Sequence, residues 1–231
     1  MIQRSTWILL AFAFIGLACA ATAQVSLTAL NVAQTQNFNT LVTSGSATWS
    51  DNITISGWYH ARTGTGTTIV ANDGASNAGN LYSYGTGTST ERALGTVGSG
   101  NAAVGNLYYG VRLVNNTGAT ITSLTISYIG EQWRYSGTAA AQTVTFAYQV
   151  GTGLSSLTSG TWTGVAALDF TSPIISGTTG ALDGNAAANR VNITSTLAIV
   201  LTPGQEIMLR WYDPDHSGSD HGLAIDDFSV T

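Results

Sequence analysis

Apolar and polar residues alternate with period two along much of this chain, and that rhythm admits extended strands and little else. Val144, Phe146, Tyr148 and Val150 fall on one side of a stretch whose other side is Thr143, Thr145, Ala147 and Gln149. Ile121, Leu124, Ile126 and Tyr128 mark a second strand, with Thr125 and Ser127 turned outward. Ile207, Leu209 and Trp211 alternate with Met208, Arg210 and Tyr212 in a third. Further strands are expected over residues 25–32, 53–60, 81–84, 107–114, 191–201 and 222–230. Surface loops are expected over 63–79, 85–90 and 171–188, where Gly, Thr, Asn and Ser dominate. Asn115-Asn116-Thr117-Gly118 reads as a hairpin turn. No window holds an apolar 3.6-residue period long enough for a helix. The fold class is all-β, a two-sheet antiparallel jelly-roll β-sandwich.

Residues 1–23 read as a signal peptide. Arg4 supplies the positive start, residues 7–19 an apolar run too short to span a bilayer comfortably, and Ala21-Thr22-Ala23 a small-x-small cleavage site. Residues 24–231 then form a single domain of a secreted, extracellular protein. Cys19 is the only cysteine, so that domain has no disulfide and no thiolate zinc site. Packing must hold it together, with a bound ion as the natural supplement. Lysine is absent, and beyond the signal peptide six arginines face twelve acidic residues, a formal charge of −6. No basic patch exists to hold a phosphate backbone, so nucleic acid is not an expected partner, and the mature chain has no segment for membrane insertion. Neutral partners, a polysaccharide or a cell-surface ligand, suit such a surface better.

Five of the twelve acids crowd into the last stretch: Asp213, Asp215, Asp220, Asp226 and Asp227. Carboxylates so placed repel one another unless a cation shares them. Asp213, Asp215 and Ser217 occupy positions 1, 3 and 5 of an EF-type calcium loop, with Gly218 at position 6, but Ala224 stands where a bidentate Glu belongs. An EF-hand is therefore excluded. A calcium-binding β loop completed by Asp220, Asp226 and Asp227 is the expectation, and a loop of Asx turns is the alternative. His216 and His221 flank Asp220 and also admit a metal-dependent hydrolase, but no nucleophile elbow, coupled carboxylate pair or P-loop accompanies them. No catalytic residue is assigned. Among the aromatics, Trp58, Tyr59, Trp133 and Tyr212, with Arg134, are candidate ligand-binding residues, since ring faces beside polar groups suit sugars. For any single tryptophan the core is the competing location. Glu131 and Arg134 are expected to pair with Arg92 or Glu91.

Several segments carry a family resemblance: Gln36-Asn37-Phe38, Thr48-Trp49, Gly57-Trp58-Tyr59, Ser89-Thr-Glu-Arg-Ala-Leu-Gly95, Gly130-Glu-Gln-Trp-Arg134, the run from Ala181 to Arg190, and Gly222-Leu-Ala-Ile-Asp-Asp-Phe228. In this order they resemble a widespread bacterial secreted β-sandwich domain of uncharacterised function. That domain is found in exported proteins with PEP-CTERM-type sorting signals and beside extracellular nuclease or phosphoesterase domains. The closing segment is also similar to the last strand of MAM-type calcium-binding jelly rolls. The resemblance implies an extracellular, surface-associated module. Adhesion or surface binding is the expected function. A self-assembling structural subunit, in which residues 25–30 add to a neighbouring sheet, is the alternative, followed by an accessory carbohydrate-binding module.

Overall fold

The computed structural model describes residues 24–231, so the expected signal peptide lies outside the described residues. Along them run β1 (Val25–Leu27), β2 (Gln34–Gln36), β3 (Ser46–Thr48), β4 (Trp58–Arg62), β5 (Thr68–Asn72), β6 (Asn80–Tyr84), β7 (Ala93–Val97) and β8 (Leu107–Asn115). There follow β9 (Ile121–Tyr135), β10 (Thr143–Gly151), β11 (Thr163–Gly164), β12 (Phe170–Thr171), β13 (Gly180–Ala181), β14 (Arg190–Leu201), β15 (Glu206–Asp213) and β16 (Gly222–Val230). Two 3-10 turns, Ala166–Leu168 and Ala187–Asn189, are the only helical segments among the described residues. None of these is long and apolar enough to cross a membrane.

The strands form two sheets packed as a jelly-roll β-sandwich. The first has the order β1-β8-β15-β10-β11, with β4 also on β8 and β12 also on β10. The second runs β13-β9-β16-β7-β6-β5-β3, with β14 also on β9 and β2 also on β16. All pairs are antiparallel except β1 with β8 and β5 with β6. Between the sheets Trp211 is fully buried. It stacks on Trp58 at 5.8 Å and Tyr109 at 6.0 Å, and meets the ring edges of Phe146, Tyr128 and Phe228 at 5.2–5.7 Å. Tyr128 and Phe228 come from the second sheet, so one indole joins both layers. Alternation predicts this: in β15, Ile207, Leu209 and Trp211 face the core, while Met208, Arg210 and Tyr212 face away.

Four expectations are corrected. Residues 63–79 are not a continuous surface loop, because β5 lies within them and buries Ile69 completely. The segment 53–60 is a turn for most of its length: Asn52 and Gly57 take φ of 64° and 80°, Ile53 is 82% exposed, and the strand begins only at Trp58. Asn115–Gly118 makes no hairpin, since β8 belongs to the first sheet and β9 to the second; it is an arch between layers. The strand expected over 25–32 ends at Leu27, and its three residues pair with β8 along one edge at the end of the first sheet.

The second sheet is buried on both faces over part of its area. Its outer surface carries Tyr82, Tyr84, Ala93, Val97, Trp133 and Ala224, all buried, with the rings of Tyr84 and Trp133 stacked at 5.7 Å. The loops after β5 and β13 cover this patch. Arg134 donates to the carbonyls of Gly74 and Ala75, Leu182 N–H donates to the carbonyl of Trp133, and Gly184 lies against the Trp133 indole. A Cβ at Gly184 would come within 2.3 Å of the indole nitrogen. Gly184→Ala is therefore expected to lift that loop, lowering stability by about 1–3 kcal/mol and red-shifting tryptophan emission. An unchanged melting curve and spectrum would mean the loop is not seated there.

Candidate metal centre

The covered outer face brings together acids from three separate segments. Glu131 projects from β9 directly opposite Ala224 of β16, and Asp226, two residues further along β16, shares that face because side chains alternate. Glu91 arrives from the turn before β7, where its N–H donates to Ser89 Oγ. One oxygen of each of Glu91, Glu131 and Asp226 lies within 4.8 Å of the others. Two fixed donors orient the group: Trp133 Nε1–H to Glu131 Oε2 at 2.9 Å, and Asn185 Nδ2–H to Glu91 Oε2 at 2.6 Å. Asn185 is itself held by an Asx turn on Asp183.

The remaining oxygens are short of partners. Glu131 is fully buried and Asp226 is 5% exposed, yet Glu131 Oε1, Asp226 Oδ1 and Glu91 Oε1 accept no hydrogen bond. Buried polar atoms are normally satisfied. Burial pushes Glu131 up to about 7, with the Trp133 hydrogen bond opposing and the Glu91 charge reinforcing the rise. Asp226 is raised well above the usual carboxylate range, first by burial and then by its acidic neighbours. Three carboxylates with orphan oxygens could hold a hard divalent cation that takes oxygen ligands.

The stretch that looked like one calcium loop is divided by the structure. Asp226 leaves for the trio just described. Asp227 sits exposed at a bulge, with φ of 46° and a register break between Asp226 and Ser229. Asp213 and Asp220 are buried at the end of the sandwich, while Asp215 and Ser217 are exposed. Thr96 Oγ1–H donates to Asp213 Oδ2 at 2.7 Å, and His216 Nδ1 lies 3.7 Å from Asp213 Oδ1. Burial pushes Asp213 up to about 8 and Asp220 to about 7. Nor do the histidines converge: His216 Nε2 accepts from Thr143 N–H and His221 Nδ1 from Ser136, and burial lowers both from the ordinary histidine value.

These raised carboxylates set the direction of a pH effect. A group whose folded pKa lies above its unfolded value stabilises the fold at low pH and loses that contribution as pH rises through the folded value. With metal chelated, stability is expected to fall between about pH 5 and pH 9 as Glu131, Asp220, Asp213 and Asp226 are forced to ionise. Saturating calcium should flatten the Glu131 and Asp226 part of that slope. His60, held down to about 3 by burial, opposes this below its unfolded value near 6.5. Thermal melts across pH in EDTA would check the sign; stability rising towards pH 9 would contradict it.

The aromatic candidates are redistributed as well. Trp58, Tyr59 and Trp133 are 1%, 7% and 0% exposed, so none offers a ring face to a ligand. Arg134 is spent partly on the Gly74 and Ala75 carbonyls, and neither Glu131 nor Arg134 forms the expected pair with Arg92 or Glu91. Arg92 is fully buried and donates to Ser83. Tyr212 alone is half-exposed. It stacks on Tyr108 at 4.6 Å on the outer face of the first sheet, where Arg210 lies between Tyr108 and Trp162, 4.0 Å from the latter ring. Sequence reasoning missed Tyr108 in this ladder. It also missed the meeting of Glu91, Glu131 and Asp226, although each lies in a segment quoted for the resemblance.

No family model matches the chain, and no curated protein matches it. Solved structures resemble it at low identity. The K3 cleaved adhesin domain of Lys-gingipain from Porphyromonas gingivalis w83 aligns with TM-score 0.42 and 11% identity, covering 76% of this chain and 91% of that one. The CBM22-1 xylan-binding domain of Paenibacillus barcinonensis Xyn10C gives 0.34 and 12%, over 85% and 91%. A family 35 carbohydrate binding module from Clostridium thermocellum gives 0.31 and 9%, over 86% and 97%.

Proposed function

We propose that this protein is a non-catalytic, calcium-stabilised module for binding an extracellular surface, with a polysaccharide or another cell-surface glycan as its ligand. The observation that carries the reading is the acidic trio of Glu91, Glu131 and Asp226. Glu131 and Asp226 are buried with orphan oxygens, the geometry of an ion that ties strands together rather than one that activates water. The ion would join the turn before β7 to β9 and β16, and hold down the Asn185 loop that covers them. A surface without lysine, rich in Thr, Ser and Asn, supports an uncharged partner.

The test is retention on insoluble and cell-wall polysaccharides, run in calcium and in EDTA. Retention in calcium is the expected outcome. A protein that passes through every matrix in both buffers would end the glycan reading and leave the ion a structural role alone.

A second reading is favoured by one observation. β14 is a sheet edge of twelve residues, whereas the outermost strands β1, β3 and β11 have only two or three. It has no lysine or proline within it, and Val191 and Val200 are 39% and 67% exposed. Long edges with a single charge invite pairing, so self-assembly through β14 is the alternative function. Size-exclusion chromatography across a concentration series separates the two; a monomer at every concentration excludes assembly.

A further inference from the structure

The metal centre leaves the acidic loop between β15 and β16 without a role, and that loop borders a cavity of its own. The turn after β7, the end of β9 and residues 215–220 enclose ≈260 Å³ at one end of the sandwich. Two buried groups on its wall are incomplete. Asp220 is 7% exposed; its Oδ2 accepts from His216 N–H at 3.3 Å, while Oδ1 accepts nothing. Arg134 is 9% exposed; Nη1 serves the Gly74 and Ala75 carbonyls, while Nε donates to nothing. Asp215, Asn77 and Ser99 complete the polar lining.

A buried acceptor without a donor and a buried donor without an acceptor, on the wall of one cavity, call for a ligand that supplies both. The Arg134 guanidinium disfavours a bare cation, and His, Asp and Glu atoms do not gather into a ligand set here as they do around Glu131. The Asp215 and Asp220 carboxylates disfavour an anion. No aromatic residue lines the walls, so a flat apolar ligand finds no stacking face. An uncharged polyol remains. The volume is below the roughly 300–1,000 Å³ of sites for drug-sized ligands, which limits the occupant to about one ring.

We infer that this cavity binds a single uncharged pyranose, the terminal unit of a glycan, with the Asp220 and Asp215 carboxylates accepting from its hydroxyls and Arg134 Nε–H donating to one of its oxygens. This deepens the binding-module reading and rests on it. The ligand would enter end-on between loops of both sheets, so chain ends rather than chain interiors would be recognised.

Amide chemical-shift mapping of the calcium-loaded protein tests this, with free glucose, galactose, mannose, xylose and N-acetylglucosamine as probes. At least one sugar should shift the amides of Gly98, Gly100, Gly218 and Ser219 saturably at millimolar concentration. Asp220→Asn should weaken that binding by about tenfold or more, a loss of one hydrogen-bonded acceptor. Because Asp220 is buried, Asp215→Asn at the exposed rim provides a second variant with the same expected direction. Both variants should keep the calcium-dependent rise in melting temperature, which reports the fold and the metal centre separately. Silence of these amides with every sugar at tens of millimolar overturns the inference, as do shifts that neither substitution alters. Calcium alone moving these amides, in place of those around Glu131, would also overturn it. If polysaccharides still retain the protein while the cavity stays silent, the binding reading survives and this site does not; if retention fails too, both fall.

Discussion

In calcium-containing buffer, Glu131→Gln and Asp226→Asn are expected to melt well below the parent protein, and adding EDTA should cost them almost nothing further. A ligand at about a hundredfold excess over its Kd contributes ~2.7 kcal/mol, which for a domain of this size is roughly 5–10 °C. Both substitutions keep side-chain volume and remove a negative charge, so packing losses are small. The diagnostic result is the reversal in EDTA. Without metal, the parent carries acids whose ionisation is resisted by burial, and the amide variants do not. Above about pH 7 the metal-free variants should therefore be more stable than the metal-free parent. Asp213→Asn supplies the contrast, because it relieves a buried acid at the other site and should leave the calcium shift intact. Equal melting losses for Glu131→Gln in calcium and EDTA would remove the ion from this centre.

Trp211→Ala should be the most damaging single substitution in the core. The indole is fully buried and contacts five other aromatic rings from both sheets. Truncations of this kind cost about 3–5 kcal/mol through lost transfer energy and the cavity left behind, or on the order of 10 °C here. The five neighbours are themselves large and held by strand geometry, so collapse into the void is limited and the upper part of that range is expected. Denaturant melts should report a lower midpoint at an unchanged slope; a loss below about 1 kcal/mol would mean that the sheets are joined elsewhere.

Where one strand face meets the core and the other meets solvent, the sequence was readable. β10, β15 and the first half of β9 were all visible as alternation. β7 was not, because every residue from Ala93 to Val97 is buried and a strand covered on both sides has no rhythm to detect. β5 escaped for a different reason: its apolar content is little more than Ile69 and Val70 amid Thr and Gly. The carboxylate crowding did point to a buried acidic site, but adjacency along the chain misplaced it. Asp220 and Asp226 are six residues apart, and β16 begins between them; at ~3.3 Å per residue an extended segment carries the second roughly 20 Å from the first. The partners Glu91 and Glu131 come from the turn before β7 and from β9, whose meeting cannot be read from spacing. Trp58 and Trp133 were drawn to a ligand face by composition alone, and the closeness of the sheets and loops claimed them instead.

β16 is bonded to β9 over most of its length and to both β7 and β2 on its other side, so it is the keystone of the second sheet. It is also the last strand of the described chain to leave the ribosome. Without it β7 keeps β6 and β9 keeps β14, but the two pairs have no common neighbour and the second sheet stays in two parts. The second sheet is therefore closed by a strand that follows both of its partners in the sequence. Asp226 rides on that strand, so the trio of carboxylates is complete only once the strand is in place. An ion bound by that trio, as proposed, would act as a latch on an already closed sandwich, slowing its opening far more than hastening its assembly.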